Sequence, residues 1–499
     1  MGRFNLLDEP WISVITDSKG STKEVSLTEL FAHAHCYRQL AGDMATQDFA
    51  VFRLLLAILH TVFSRFDATG NRYEFFELDE KYRQVADVDS DDLEDYEEAL
   101  FETWVSLWEG KEFPSIINEY LDKWHDRFYL FDDDYPFMQV TQNDITASKL
   151  SKASPGVVSG KNINRLISES GNKISLFSPK SSGGKNKEAL SEAEAARWLV
   201  MFHSYVGLSD KVIFGKEKYK ASKGWLFDIG GLMLKGSNLF ETLLLNCVMI
   251  HPERHFIAYS QKPCWESSGS EVLKHIFSTS QPDNLSELYT NWSRAIYVDP
   301  QIDPNIGFEI NIVKIPEIKH SDQFLETMTL WRFNSNGESA NSFTPRKHRT
   351  NQSVWRSFGL LTLPNSNKVK KEQRKPGIIE WLSNIRDIVG DGEIAIDAIS
   401  MQDDGNATSW VPVDEITDTL NIHNYVINDI AESGWVPRIN EVIILTKNVV
   451  EYIYGGFLTD IKEVRGLSSA SFVEKGVEDL YFSIDLPFRR WLSALTLQD

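Results

Sequence analysis

The longest apolar stretch of the chain runs from Phe49 to Phe63 and reads FAVFRLLLAILHTVF. Arg53 and His60 interrupt this stretch, which makes it a poor membrane span. A helix that is apolar on every side must be surrounded by other parts of the fold. We therefore predict a buried helix over residues 46–66 and no contact with a membrane.

The length and composition fit a large globular protein. A single hydrophobic core stops growing near about 250–300 residues, so 499 residues predict two domains or one large core. The start of the chain lacks the basic region and apolar run of a secretory signal. Cys36, Cys247 and Cys264 have neither metal-site spacing nor enough partners for a disulfide framework. These features indicate a reduced, cytoplasmic setting and no metal site.

The chain changes character near Pro412. Residues 1–411 mix strand-like and helix-like patterns, whereas residues 412–499 carry apolar side chains at helical spacing. We predict an α+β protein with a large mixed α/β domain over residues 1–411 and a helical bundle domain over residues 412–499. Three bundle helices would leave one apolar face uncovered. Either a partner covers that face, or the sequence stops short of the whole bundle.

The segment from Leu150 to Trp225 differs from everything around it. Between Lys149 and Lys223 there are 14 Lys and Arg against 6 Asp and Glu, although the whole chain has a net charge of −21. Frequent Gly, Ser and Asn predict two basic loops, residues 148–188 and 207–224, on either side of one helix. Loops of this length are usually functional or disordered. An acidic protein with one basic face would bind nucleic acid weakly alone and depend on partners.

The basic side chains of these loops are candidates for contacts with phosphate groups, and the intervening Gly and Ser would let backbone N–H groups approach the same oxygens. The candidates are Lys149, Lys152, Lys161, Arg165, Lys173, Lys180, Lys185, Lys187, Lys211, Lys216, Lys218, Lys220 and Lys223. Phe177 could stack on a base. Alternatively, Leu176 and Phe177 could pin the loop to the core, and the composition supports both interpretations equally.

The sequence motifs of common enzymes are absent. The chain has no GxGxxG, GxxxxGK[ST], GxSxG or HExxH motif. His125 and Asp126 form the dipeptide of metal-dependent phosphohydrolases, but the other His and Asp residues of such a site are missing. We expect a protein that is not an enzyme and needs no cofactor. A metal phosphohydrolase using His125 is the less favoured alternative.

Seven segments, taken in order along the chain, resemble one family, the large subunit (CasA) of the type I-E CRISPR Cascade complex. They are FNLLDEPWISV (4–14), RFYLFDDDYPFMQV (127–140), AARWLVMFHSYVG (195–207), LFETLLLNCV (239–248), ETMTLWR (326–332), VWRSFGLL (354–361) and LPFRRWL (486–492). Each motif is weak alone, but seven in register are specific and span the chain. The resemblance implies a mixed α/β domain followed by a four-helix bundle, with the chain ending after the third bundle helix.

The resemblance also implies a function. The family's large subunit recognises the protospacer-adjacent motif on double-stranded DNA through the minor groove. It then helps to open the duplex for guide-RNA pairing, which forms an R-loop, and helps to recruit the helicase–nuclease. The implied partners are double-stranded target DNA, the 5′ handle of the CRISPR RNA, the other Cascade subunits and the helicase–nuclease. A second interpretation is an assembly scaffold that binds the guide 5′ handle and neighbouring subunits without reading DNA.

The resemblance assigns site residues by position. The loop at the guide handle and DNA motif matches Leu176, Phe177 and Ser178, and the family's lysine finger matches Lys314 or Lys319. The wedge, a polar side chain pushed under the first target base pair, matches Asn406 in the loop 402–408, where the family usually has glutamine.

The family's glycine-rich minor-groove loop falls within residues 207–218, where this chain has only two glycines. Its implied contact residues are Gly207, Lys211, Gly215, Lys216 and Lys218. The zinc-binding cysteine set of some family members is not reproduced.

Overall fold

The computed structural model describes residues 2–163, 188–208, 212–278, 281–368, 372–405 and 412–497. The chain is an α+β protein, as predicted, with a mixed helix and strand body followed by a helical region. Several predicted site residues lie outside the described ranges. These are Leu176, Phe177, Ser178, Lys211 and Asn406.

The strands are short except for one long hairpin. Their bounds are β1 Arg3–Asn5, β2 Ile12–Ile15, β3 Thr22–Val25, β4 Gln39–Leu40, β5 Tyr129–Phe131, β6 Gly156–Ser159, β7 Gly231–Lys235, β8 Arg294–Tyr297, β9 Glu309–Lys314, β10 Trp331–Asn334, β11 Ser342–Pro345, β12 Glu393–Asp403 and β13 Pro412–His423. They pair antiparallel, in the orders β1–β5, β3–β2–β4, β6–β9–β8, β10–β11 and β13–β12–β7.

The helices surround these small sheets. Their bounds are α1 Leu27–His33, α2 Ala45–Phe63, α3 Leu93–Gly110, α4 Ile116–Lys123, α5 Gly160–Ile163, α6 Glu192–Tyr205, α7 Leu239–Asn246, α8 Gly269–Ser278, α9 Leu285–Tyr289, α10 Phe358–Thr362, α11 Gly377–Val389, α12 Asn424–Ile427, α13 Trp435–Lys447, α14 Gly455–Val464 and α15 Ser471–Ala494. A π-helical turn, Asn448–Tyr454, joins α13 to α14.

Helix α2 is the centre of the core, as its apolar sequence predicts. It is long and apolar enough to cross a membrane, yet 94% of its most apolar window is buried inside the protein. It packs against α4, α6, α7 and α9 and against the hairpin β12–β13. Arg53 of α2, 2% exposed, forms two hydrogen bonds of 2.8 Å to the carboxylate of Glu326. The ion pair lets a charged residue occupy a fully apolar setting.

The segment after Pro412 corrects one sequence prediction. Residues 412–423 form strand β13 and pair with β12 from Asp403↔Pro412 to Glu393↔His423, so helical structure begins only at Asn424. The reason is visible in VDEITDTLNIH, where β-branched residues are frequent and favour a strand. Pairing with β12 also supplies partners for the backbone polar groups.

The C-terminal helices expose many apolar side chains. On α13, the π-helical turn, α14 and α15 the exposed large residues include Ile444 (58%), Leu445 (63%), Tyr452 (74%), Ile453 (68%), Phe457 (56%), Val464 (89%) and Phe482 (85%). A concentration of exposed large apolar residues is typical of surfaces that contact another protein.

Candidate nucleic-acid interface

The second basic loop, residues 212–223, is attached to the end of strand β9. The Lys314 N–H donates to the carbonyl of Val212 at 3.0 Å, and the Ser222 N–H donates to the carbonyl of Ile315 at 3.0 Å. Both ends of the loop are therefore fixed on the same strand end, and the residues between them project from it.

The tip of this loop is open. Gly215 has φ of +65°, its N–H donates to the carbonyl of Lys149 at 2.8 Å, and a Cβ added there would meet no atom within 4 Å. Lys216 and Lys218 are exposed. Within the described ranges no ion pair involves either lysine, whereas Lys220 does pair with a carboxylate. The tip thus presents two exposed lysines on either side of the exposed Glu217, and a glycine that lets another backbone approach closely.

A small aromatic cluster supports the tip from below. The hydroxyl of Tyr219 donates to the carbonyl of Lys314 at 2.5 Å and accepts from the Phe214 N–H at 3.1 Å. The rings of Phe214 and Tyr219 pack edge-on against Phe277, at 5.7 and 5.6 Å between centroids. Burial raises the pKa of Tyr219, so its hydroxyl stays protonated and keeps donating. These contacts give the loop a defined shape.

Other predicted residues occupy different environments. Gly207 follows α6, is buried, and its carbonyl accepts from Nη2 of Arg294 at 2.8 Å, so it supports the loop from inside. Lys314 is half-buried at the end of β9 beneath the basic loop, whereas Lys319 is exposed in the segment between β9 and β10. Of the two finger candidates, Lys319 presents its side chain to solvent.

The predicted wedge, Asn406, lies outside the described residues, in the sequence between strands β12 and β13. The two strands pair over their full length, with a register irregularity at Gln402 and Asp403 at the end of β12. Gly405, with φ of +67°, donates its N–H to Oδ1 of Asp403 at 2.9 Å and is the last described residue after β12. The long strand pairing holds the end of β12 firmly.

The loop 344–350, which reads TPRKHRT, holds the end of this hairpin. Nζ of Lys347 lies 2.7 Å from Oδ2 of Asp403, and Oγ1 of Thr350 donates to Oε1 of Gln402 at 2.9 Å. The letters TPRKHRT show a basic and polar loop but do not show its contact with the hairpin, because more than fifty residues separate the two.

Three arginines cluster beside the hairpin, and the sequence reasoning missed them. Arg346 is half-buried, and burial together with the neighbouring charges of Arg349 and Arg332 lowers its pKa. Arg349 and Arg332 are exposed. In the part of the chain that the structure describes, no ion pair joins any of the three to a carboxylate. Like charges held together repel, so a bound anion would stabilise this cluster. Only the RKHR run was visible in the sequence, because Arg332 comes from β10.

The two residues named for the phosphohydrolase alternative make contacts at the surface. Nε2 of His125 lies 2.8 Å from Oδ2 of Asp8, and Asp126 pairs with Lys81 at 3.2 Å. Across the described ranges, no group of three or more His, Cys, Asp and Glu side chains is arranged to hold a metal ion.

Comparisons with known proteins agree across the chain. A family model described as CRISPR-associated protein Cse1 matches residues 5–499. The protein CasA/Cse1 of Thermus thermophilus is 29% identical over 272 residues, which is 53% of this chain and 42% of that protein's length. The aligned part of the chain thus spans less than half of that relative.

Solved structures share the fold. The crystal structure of Thermobifida fusca Cse1 superposes with a TM-score of 0.75 at 24% identity, covering 100% of this chain and 88% of that one. For Acidimicrobium ferrooxidans Cse1 the TM-score is 0.70 at 21% identity, covering 99% and 87%. A chain of a CRISPR RNA-guided surveillance complex gives 0.69 at 14% identity, covering 100% and 90%. With the family match over nearly its whole length, the chain belongs to the CRISPR-associated Cse1 family.

Proposed function

We propose that this protein is the large, non-catalytic subunit of a type I-E CRISPR RNA-guided surveillance complex, in which it reads a short motif on double-stranded DNA and helps to open the duplex. The observation that carries the proposal is the neighbourhood of two features. The base of a basic loop with an open tip is linked by ion pairs, from Lys223 through Asp228 and Lys347, to Asp403 at the end of β12. Three arginines that form no ion pair within the described ranges lie beside the same strand end. Family membership and likeness to a chain of such a complex support the same function.

The lysines and the open glycine of the loop tip have the charge and the shape to bind in the DNA minor groove. That groove distinguishes mainly A·T from G·C, so a reader there tolerates variation in the motif. Lys216 and Lys218 would contact phosphates on either side of the groove, and Gly215 would let the backbone approach. Lys211, outside the described residues, would add a further charge, and Lys319 is the better finger candidate because it is exposed.

The hairpin β12–β13 would act in the step that opens the DNA duplex. Exchange of a DNA duplex for a guide–target heteroduplex is nearly balanced in energy, as in Cas9-type systems. Unstacking the first base pair costs a few kcal/mol, so a side chain inserted there decides whether exchange begins. We assign this role to Asn406, whose amide both donates and accepts. The segment Leu176, Phe177 and Ser178 would contact the guide 5′ handle and the motif.

The remaining surface suits assembly. The exposed apolar side chains of α13–α15 would contact other subunits, and the subunit would then help to recruit the helicase–nuclease. We place the complex in the cytoplasm. The same apolar surface favours the second candidate function, an assembly scaffold that binds the guide handle and neighbouring subunits while DNA is read elsewhere.

Removal of the lysine tip tests the proposal directly. In the assembled complex, we expect Lys216→Ala with Lys218→Ala to weaken binding to duplex DNA. The slope of log K against log salt should fall by about 1 for each lost phosphate contact. The measurement is a titration of two duplexes, one with the motif selected from a randomised library and one with that motif mutated. It is repeated with and without this subunit.

The matched control is Lys19→Ala with Lys123→Ala, which removes two exposed lysines from the β2–β3 turn and from the end of α4. It should bind as the wild type does. If complexes with and without the subunit discriminate equally between the two duplexes, the scaffold function replaces motif reading.

The arginine cluster gives a second, independent test. We expect Arg346→Gln with Arg349→Gln to lower the affinity of the assembled complex for target DNA and to reduce the salt slope by about 2, because two phosphate contacts are lost. Arg83→Gln with Arg254→Gln removes the same charge from arginines already paired with Asp79 and Glu97. An equal loss in this control would show that only net charge matters.

A further inference from the structure

Four charged side chains of alternating sign connect the basic loop to the end of strand β12. Lys223, the last residue of the loop 212–223, pairs with Oδ2 of Asp228. Oδ1 of Asp228 lies 3.6 Å from Nζ of Lys347, which in turn lies 2.7 Å from Oδ2 of Asp403, the last residue of β12. We call this set the ionic chain. It runs from one candidate DNA contact to the other.

The ionic chain is shielded from solvent. Its side chains are only 19%, 31%, 23% and 17% exposed, in order from Lys223 to Asp403. The ring of Phe227 lies 5.2 Å from Nζ of Lys223 and 4.2 Å from Nζ of Lys347. Burial opposes the charge on Asp228, but the two lysines outweigh it and hold the pKa of its carboxyl below the usual range. Salt screens such partly buried pairs less than it screens pairs on the surface.

The middle of the ionic chain is fixed to the core. Asp228 ends a short 3₁₀ turn, Trp225–Asp228. Trp225 stacks on His320 at 4.0 Å between ring centroids, and its Nε1 donates to Oε2 of Glu326 at 2.6 Å. Glu326 is the buried partner of Arg53 on the central helix α2. Asp228 therefore has a fixed position, and its ion pairs hold the base of the loop directly and the end of β12 through Lys347.

We propose that Asp228 and Lys347 are positioning residues that fix the end of strand β12 relative to the basic loop, so that a duplex held by the loop meets this end of the hairpin in the orientation that opens it. This inference rests on the proposed function. A rigid arrangement lowers the entropy lost when both elements contact DNA at once. Neither residue needs to touch DNA, so loss of the ionic chain should slow opening without weakening the first contact with the duplex.

The test uses the assembled complex and a negatively supercoiled plasmid that carries the guide-matched target and the selected motif. Duplex affinity and the rate of opening, followed by permanganate reactivity of unpaired thymines, are measured for Asp228→Asn and for Asp403→Asn. We expect each variant to open the target about three- to tenfold more slowly, the range of coupling effects through networks. Affinity for a linear motif duplex without a target match should stay within about twofold of the wild type.

The double variant distinguishes positioning from general damage. Because both substitutions break the same chain, the double variant should open DNA no more slowly than the slower single variant. Asp228→Glu, which keeps the charge, should restore most of the rate. Asp397→Asn is the control, since Asp397 also lies on β12 and pairs with Lys235 at 3.3 Å but is not in the ionic chain. It should open DNA at the wild-type rate.

The inference would be overturned if Asp228→Asn and Asp403→Asn both opened DNA at the wild-type rate. It would also be overturned if the two losses of rate multiplied in the double variant. Thermal unfolding of each complex is measured beside the opening assay. If Asp228→Asn does not assemble, the test uses Asp403→Asn and Asp228→Glu instead. Failure of the proposed function looks different. In that case the wild-type complex itself would open the plasmid equally with and without the motif.

Discussion

We expect Glu326→Ala to lower the free energy of unfolding by about 3–5 kcal/mol, because it leaves the buried guanidinium of Arg53 without its partner. The carboxylate accepts both hydrogen bonds from Arg53 at 2.8 Å, one from Trp225 at 2.6 Å and one from the Met328 N–H at 2.9 Å. Chemical denaturation of the isolated protein measures the loss. Replacement of both partners, as Arg53→Met with Glu326→Leu, should recover part of it, since an apolar pair leaves no buried charge.

The same pair predicts a pH dependence. Burial opposes ionisation of Glu326, but Arg53 outweighs it and holds the pKa of the carboxyl below the ordinary 4.5. A carboxyl with a lowered pKa stabilises the fold above its unfolded pKa and loses that effect as the pH falls through the folded value. The difference between wild type and Glu326→Ala should therefore shrink below about pH 4.5.

A surface pair of the same geometry provides the control. Arg254 makes two hydrogen bonds of 2.7 and 2.6 Å to Glu97, but its guanidinium is exposed. We expect Glu97→Ala to shift the unfolding midpoint only slightly, because water solvates the arginine that remains. A loss as large as that of Glu326→Ala would mean that burial does not explain the cost.

The motifs that identify the family are mostly packing residues. Arg197, in AARWLVMFHSYVG, donates to the carbonyl of Trp11 in FNLLDEPWISV at 2.6 Å. His203 of the same motif lies 2.9 Å from the carbonyl of Met138 in RFYLFDDDYPFMQV. Glu326 begins ETMTLWR. Such residues reveal the fold from the sequence, since buried polar contacts tolerate few alternatives, but they carry no information about how the DNA contacts are arranged.

The candidate site was only partly predictable for the same reason. The lysine-rich loop was evident from composition, since Lys216 and Lys218 are close in sequence. The ionic chain was not, because Asp228, Lys347 and Asp403 lie far apart in sequence and meet only when β12 pairs and the loop 344–350 folds against it. The apolar spacing of residues 412–423 also predicted a helix where the structure has strand β13. These residues form a strand because they pair with β12, and no local sequence pattern shows that pairing.

Two further motifs, VWRSFGLL and LPFRRWL, meet where the last long helix contacts the body. Trp355 is fully buried, stacks on Phe488 of α15 at 4.0 Å between ring centroids, and donates its Nε1–H to Asp485 at 2.7 Å. We expect Trp355→Ala to lower the free energy of unfolding by about 3–5 kcal/mol, because a large aromatic leaves a cavity. Limited proteolysis should then cut near α15 earlier than in the wild type.

Phe482→Ala is the matched control, since this aromatic lies on the same helix six residues before Phe488 but is 85% exposed. We expect it to change stability by no more than about 0.5 kcal/mol. Arg489 of α15 also pairs with Asp418 of β13 at 2.7 Å, so the docked helix contacts the hairpin directly. If Trp355→Ala loosens α15, the hairpin loses that support, and opening of target DNA should slow in the assembled complex. Phe482→Ala is the control only for stability and proteolysis of the isolated protein, because we assign the exposed apolar side chains of α15 to contacts with other subunits. Equal proteolysis of the two variants would show that Trp355 is not what holds this helix to the body.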